Sequence, residues 1–334
     1  MKKAVLKTLG LSVALASGLA QAADLNPAVV FDMGGKFDQS FNQSVYNGVE
    51  RFKADTGIEY KEFEVTNASQ REQAIRRFAQ RGSSPVIAVG FSQSDAVAKV
   101  STDNPDTQFT LIDGVVEAPN VQSVLFKAHE GSFLVGLLAA MKSQTGTVSF
   151  VGGMDIPLIS QFGCGFAQGA KHYNADTKVL FNMIGTTPSA FNDPAKGAEI
   201  AVSQFDRGSD VVYAAAGGSG SGVYQAAKDS GKYAIGVDDN QNYLQPGTML
   251  TSMVKRVDVA AYNSLKSAQE GSWKAGFQVL GLAEGGVDWA LDEHNEALIT
   301  AEMKAAADKV KQAIINGEIT VHDYTSNNSC PALD

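Results

Sequence analysis

Short apolar runs rich in β-branched residues alternate along this chain with stretches whose apolar positions recur every three to four residues. The helical period is clearest at residues 70–81, where Ala74, Ile75, Phe78 and Ala79 fall on one face and arginines on the other, as on a surface helix. The apolar runs predict strands at 28–32, 58–65, 86–90, 109–112, 147–151, 179–184, 211–215, 233–237 and 249–254. The periodic stretches predict helices at 41–54, 70–81, 131–142, 160–172, 194–206, 220–230, 257–269 and 301–316. Strand, helix, strand repeated in this way predicts an α/β fold of parallel sheets covered on both faces.

The series runs twice, over roughly 24–127 and 147–250, which implies two similar lobes. The expected division is a first lobe at 23–127, completed by 255–334, and a second at 128–254. On this division the strand candidate around Gln278 and the long amphipathic helix after it return to the first lobe. No Pro-rich or Ser-rich linker separates the halves, so a hinge of several short crossing strands is expected, one that lets the lobes close. In open parallel sheets ligands bind beyond the carboxyl ends of the strands. Those ends carry Asp32, Phe91 and Ser92, Asp113, Asp155, Gly217 and Gly218, and Asp238 and Asp239, which would make a polar cleft between facing lobes.

The ends and the composition narrow the setting. Lys2 and Lys3 precede an uncharged apolar stretch at 9–19 and the triplet Ala20, Gln21, Ala22, the pattern of a secretory signal peptide at 1–22. Position 23 is Ala rather than the Cys of a lipid anchor, so a free periplasmic protein is expected. No later segment is long and apolar enough to span a bilayer. Removal of residues 1–22 takes away Lys2, Lys3 and Lys7 and moves the formal charge from −9 to −12, which argues against a nucleic-acid partner. Cys164 and Cys330 either pair, tying the C-terminal tail to the body, or stay as two thiols, and their spacing does not decide between these. His129, His172, His294 and His322 lie far apart in sequence, and neither a metal nor a cofactor is expected.

Candidate chemistry concentrates in GGKFDQSFNQ at 34–43, between the first strand and a helix. Its glycines free the turn backbone, Ser40 is placed to cap the helix, and Phe41 and Asn42 sit at the helix start facing the cleft. Taken alone, the segment reads equally well as a tight turn with a cap. It extends, however, to FDMGGKFDQSFNQS at 31–44, followed by LIDG at 111–114, FVGGMDIPLISQFGCGFAQGAK at 150–171, FNDPAKGAEIA at 191–201, YAAAGGSGSGVYQAAK at 213–228 and GVDDNQ at 236–241. In this order the stretches resemble the basic membrane protein family of solute-binding proteins, the purine-nucleoside-receptor-like group, over nearly the whole chain. The resemblance implies a type I periplasmic binding fold of two Rossmann-like lobes joined by a multi-strand hinge. It also implies a monomer that carries a nucleoside to the permease and ATPase of an ABC importer. Transferred residue by residue, it implies that Phe41 and Phe191 hold the base, that Asp32, Asn42 and Asp113 meet polar edges of base or sugar, and that Asp238 and Lys255 bind ribose hydroxyls. Phe91, Gly217 and Gly218 complete the expected ligand-binding set. Lys36 and Phe37 depart from many relatives: Lys36 is either a solvated loop charge or a ligand contact, and Phe37 a possible further aromatic wall.

Physical chemistry points the same way. Stacking on aromatic rings contributes about 1–3 kcal/mol per base, and carboxylates accept from hydroxyl and N–H donors, so an acidic cleft favours a neutral, donor-rich solute over a phosphate. Gly217, Gly218, Gly220 and Gly222 do not fit G-x-G-x-x-G, and no Gly-Lys-Ser/Thr follows them, so a backbone that approaches a ligand at a helix start is the better account. Two other readings stay open. One is a nucleoside hydrolase using Asp32 and Asp238 as acid and base, although the chain has neither a G-x-S-x-G elbow nor an H-E-x-x-H helix. The other is a sensor that presents its closed form to a membrane receptor, with a sugar, free base or flavin as ligand.

Overall fold

The most apolar runs, AVVF, VIAV, FTLI and VVYAA, have no polar face to turn toward water, and each forms a fully buried strand in the computed structural model, which describes residues 25–333. The expected signal peptide lies outside the described residues. In chain order the elements are β1 (Ala28–Phe31), α1 (Phe41–Thr56), β2 (Lys61–Glu64), α2 (Gln70–Gln80), β3 (Val86–Val89), α3 (Ser94–Asp103), β4 (Phe109–Ile112), β5 (Val121–Phe126) and α4 (Ala128–Lys142). There follow β6 (Thr147–Met154), α5 (Pro157–Tyr173), β7 (Lys178–Gly185), α6 (Pro194–Asp206), β8 (Val211–Ala215), α7 (Gly220–Asp229) and β9 (Tyr233–Asp238). The last are β10 (Met249–Lys255), α8 (Val257–Gln269), β11 (Gly276–Leu280), β12 (Val287–Trp289) and α9 (Ala301–Ile315).

Two six-stranded sheets result, ordered β11-β5-β4-β3-β1-β2 and β12-β10-β9-β8-β6-β7. The first is parallel throughout; the second is parallel except for β12, which runs antiparallel to β10. The two orders follow one pattern, so β4 corresponds to β9 and β5 to β10. The chain crosses between lobes from β5 into α4, from β10 into α8, and between β11 and β12.

The C-terminal part departs from the expected division. Only α8, packed on α1, and β11 return to the first lobe. β12 finds the open edge of β10 in the second sheet, and α9 lays Met303, Ala307, Val310 and Ile314 into the core on the side of α4. β5 is a strand that periodicity does not reveal, because Gln122 and Ser123 interrupt its apolar run. Both are buried and satisfied by backbone: the Gln122 amide donates to the Lys274 carbonyl, and Ser123 Oγ bonds both backbone groups of Val116.

Glycines in α4 and α5 have a packing role. A methyl group on Gly136, Gly165 or Gly169 would run into the backbone of Phe166, His129 or Phe133 on the facing helix, so the two helices meet backbone to backbone. Cys164, on this same α5, is disulfide-bonded to Cys330 with a Cα–Cα distance of 5.6 Å, which fastens the tail to the second lobe. Replacing both cysteines by serine is expected to lower the unfolding free energy by about 2–4 kcal/mol, through the larger conformational freedom of the unlinked unfolded chain. Equilibrium urea unfolding checks this; an unchanged midpoint would mean that burial of the tail suffices without the bond.

Candidate functional site

The start of α1 is held by a carboxylate. Asp38 accepts N–H bonds from Ser40 at 2.9 Å, Asn42 at 3.0 Å and Gln43 at 3.1 Å, and a further one from Asn42 Nδ2 at 3.0 Å. Burial pushes the Asp38 carboxyl above its ordinary range, opposed by those hydrogen bonds, which favour the charged form. The expectation that Ser40 caps the helix is thereby corrected, since one hydroxyl cannot serve three N–H groups and a carboxylate two residues earlier can. Ser40 Oγ instead donates to Asp238 Oδ2 of the other lobe at 2.9 Å. Asn42 Oδ1 accepts the Asp32 N–H at 3.1 Å and so fastens the start of α1 to the end of β1.

Between the lobes lies a cleft of about 650 Å³, open mouth included. Asp32, Phe41, Asn42, Phe91 and Asp113 line it from the first lobe, Phe191, Gly217 and Asp238 from the second, and Lys255 from the end of the crossing strand β10. Of the ten residues expected to bind ligand, Gly218 alone lies outside the lining; it backs onto the Phe191 carbonyl. Phe191 itself lies against two glycines: a methyl on Gly153 would run into its ring, and one on Gly217 would touch its Cβ at 3.4 Å. Periodicity does not reveal Asp38 as a wall residue, nor Leu158, Ile159 and Phe162, which α5 contributes from its first turns. Asp155, expected at a strand end, is exposed and outside the lining. Phe37 is 63% exposed, edge-on to Tyr46, and Lys36 pairs with Glu62, so neither forms part of the wall.

At one end of the cleft Lys255 Nζ stands 2.5 Å from Asp113 Oδ2 and 3.1 Å from Asp238 Oδ1. The three residues are buried, with 3%, 7% and 6% exposure. The ammonium also faces the rings of Phe41, Phe162 and Phe126, with centroids at 4.7, 5.2 and 5.7 Å. Burial pushes the Lys255 pKa down, but Asp113 and then Asp238 outweigh it and hold the ammonium above its ordinary value. For Asp113, burial raises the pKa and attraction to Lys255 only partly offsets it. Asp238 Oδ1 is buried against the Lys255 ammonium, while Oδ2 takes the Ser40 hydroxyl, so this carboxylate is held from both lobes.

At the other end, Asp32 Oδ1 accepts from Arg71 Nη2 at 3.0 Å and Nε at 3.3 Å, while Ser92 Oγ donates to Oδ2. Arg71 is 8% exposed, the one arginine of α2 that turns inward. The apolar stripe of this helix gives no sign of it.

No helix among the described residues is long and apolar enough to cross a membrane. Among them there is also no group of three or more His, Cys, Asp or Glu placed to hold a metal ion. The family described as ABC transporter substrate-binding protein PnrA-like matches residues 26–325. The chain is 34% identical to the ABC transporter nucleoside-binding protein BmpA of Lactococcus lactis subsp. cremoris, covering 89% of each chain. It is also 34% identical to basic membrane protein A2 of Borrelia garinii subsp. bavariensis, covering 88% of each. A crystal structure of an ABC transporter system solute-binding protein from Aeropyrum pernix K1 superposes with a TM-score of 0.83 at 27% identity, over 91% of this chain and 95% of that one. The fold is the type I periplasmic solute-binding fold, as the two parallel-sheet lobes and their three crossings indicate.

Arg71 offers a direct check on this geometry. Arg71→Met, which leaves the part-buried Asp32 carboxylate without its cation, is expected to cost about 1–3 kcal/mol of stability, and adding Asp32→Asn to recover most of that loss. Urea unfolding of the two single variants and the double variant measures the coupling; strictly additive losses would mean that the pair is not an interacting unit.

Proposed function

Because the chain belongs to the PnrA-like family of ABC transporter substrate-binding proteins, we propose that it is the periplasmic receptor of an ABC importer for a nucleoside, which it binds between its lobes and releases unaltered. The observation that carries this reading is the meeting of an aromatic ring from each lobe, Phe41 and Phe191, with the carboxylates of Asp113 and Asp238 in one cleft. Rings take up a flat base by stacking. Carboxylates accept from ribose hydroxyls and ring N–H groups.

Charge supports a neutral solute. Arg71 neutralises Asp32, and Lys255 serves both Asp113 and Asp238, so that end of the cleft keeps an excess of one negative charge. A phosphate there would meet a carboxylate without a cation to spare, whereas hydroxyl and N–H donors would be attracted. A hydrolase is disfavoured because both oxygens of Asp32 already accept, from Arg71 and from Ser92, which leaves this carboxylate poorly placed as a proton acceptor. The disulfide suits an oxidising compartment, and the pattern at 1–22 supports secretion to the periplasm. The lobes close around the ligand by its preference for the closed form, and that form is the one presented to permease and ATPase.

Calorimetric titration with inosine, guanosine, adenosine and uridine is expected to give binding to at least one of them, with the corresponding monophosphate weaker. Asp238→Ala and Phe191→Ala should each weaken that affinity by about 10- to 100-fold, the range of a lost hydrogen-bonded charge or stacking face. Absence of heat with every nucleoside, or free base in the chromatogram after incubation, would remove the proposal.

Acidification tests the carboxylates separately. Folding raises the pKa of Asp113 and of Asp38 above 3.8, so the folded protein takes up these two protons at higher pH than the unfolded chain does. At these positions acid therefore favours the folded state, and the loss falls on binding instead. Nucleoside affinity is expected to decline on acidification, with the decline setting in above the ordinary aspartate range. Titrations at stepped pH measure it; a flat profile would mean that neither ionised carboxylate supports the ligand.

A further inference from the structure

The lobes also meet through contacts that need no ligand. Besides the Ser40–Asp238 bond, Gln241 Nε2 of the second lobe donates to the Gln39 carbonyl of the first at 2.6 Å. Ser40 and Gln241 are 0% and 1% exposed. Gln241 is locked into its own lobe, since its Oε1 accepts from Tyr224 Oη at 2.7 Å and from the Val237 N–H at 2.8 Å, and only Nε2 is turned to the other side. Gln39 has a φ of +58°, a left-handed backbone conformation uncommon outside glycine, at the residue whose carbonyl meets Gln241.

We propose that Ser40 and Gln241 are a latch: positioning residues that hold the two lobes shut without ligand and, through Ser40, orient Asp238 for ligand only when the lobes are shut. Ser40 holds Asp238 Oδ2 from the first lobe while Lys255 faces Oδ1, so the orientation of this carboxylate in the cleft depends on Ser40 being in reach. In an opened protein Ser40 no longer reaches Asp238, the carboxylate loses this restraint, and water replaces the Ser40 and Gln241 donors. Beside the Lys255–Asp113 pair and the Asn47–Asp239 hydrogen bond, which also cross between the lobes, the Ser40 and Gln241 bonds add a modest bias toward the closed form of the free protein. Apparent affinity scales with that closed fraction.

The orienting role of Ser40 rests on the nucleoside reading, whereas the latch itself does not. The full chain in its processed form is compared with Ser40→Ala and Gln241→Leu by small-angle X-ray scattering, first without ligand and then with saturating inosine. Both variants are expected to show a larger ligand-free radius of gyration than wild type and to contract to the wild-type value with inosine. Ser40→Ala should bind inosine about three- to tenfold more weakly, as loss of one interlobe hydrogen bond implies. A fold that acquires a local defect would not expand and then contract with ligand. Gln241→Leu strips an acceptor from Tyr224 and Val237, so Ser40→Ala, which removes a single hydroxyl, decides the matter if the other variant does not fold. Ligand-free Ser40→Ala scattering that superposes on wild type would overturn the latch. If inosine contracts no form of the protein and titrates none, the nucleoside reading falls, and the ligand-free comparison still decides the latch.

Discussion

A lysine ammonium with 3% exposure must be compensated, and in this protein the compensation comes from both lobes at once. Asp113 belongs to the first, Asp238 to the second, and Lys255 to a strand on its way between them. Burying a charge costs several kcal/mol unless partners surround it, so the closed form is tenable only with all three groups in place. Two carboxylates against one ammonium leave the cluster one positive charge short of balance. Ser40 adds a neutral donor at Asp238 Oδ2, while Oδ1 faces the ammonium. The contact between the lobes and the excess of negative charge between them therefore follow from one arrangement.

Strand ends were the most legible part of the site. A parallel sheet sends its ligand contacts to the carboxyl ends of its strands, and Asp32, Asp113 and Asp238 could be placed there from apolar runs alone. Phe191 depended on motif resemblance, because a phenylalanine in a short turn has no periodic signature. Arg71 escaped notice for the opposite reason: it sits on a helix with a clear period, one that assigns arginines to solvent, and only its partner Asp32 draws it inward. The cap followed the usual preference for Ser at the first helix boundary, which does not foresee a carboxylate two residues upstream taking three N–H groups. The placement of α9 on the second lobe is not legible, because an amphipathic helix shows that it has an apolar face and says nothing of which neighbour covers it.

Glycine in this chain illustrates why composition alone misleads about function. The glycines of α5 lie within a predicted helix and form the surface on which α4 packs. Gly222, in the most glycine-rich stretch, would place a methyl on the backbone of Pro194 and so serves the packing of α7 against α6. Gly153 and Gly217 do concern the cleft, yet by leaving room for the Phe191 ring. In each case what matters is the space a side chain would have filled.

The two sheets share a strand order, and the repetition extends to the chemistry at their ends. Asp113 follows β4 and Asp238 ends its counterpart β9, and both have left-handed backbone angles, φ of 61° and 66°. A non-glycine residue held there costs about 1–3 kcal/mol in general, less for aspartate, which tolerates this region. The same cost accepted at the same place in both lobes is hard to assign to local sequence, since LIDG and GVDD share little beyond the aspartate. The common requirement is the sharp bend that brings each carboxylate to the midline between the lobes. Symmetry ends at the next strand pair: β5 finishes in Phe126 and its counterpart β10 in Lys255, whose ammonium lies over the Phe126 ring. A repeated architecture thus supplies two like charges facing each other, which would repel, and one unlike residue on the crossing strand turns that repulsion into the contact that draws the lobes together.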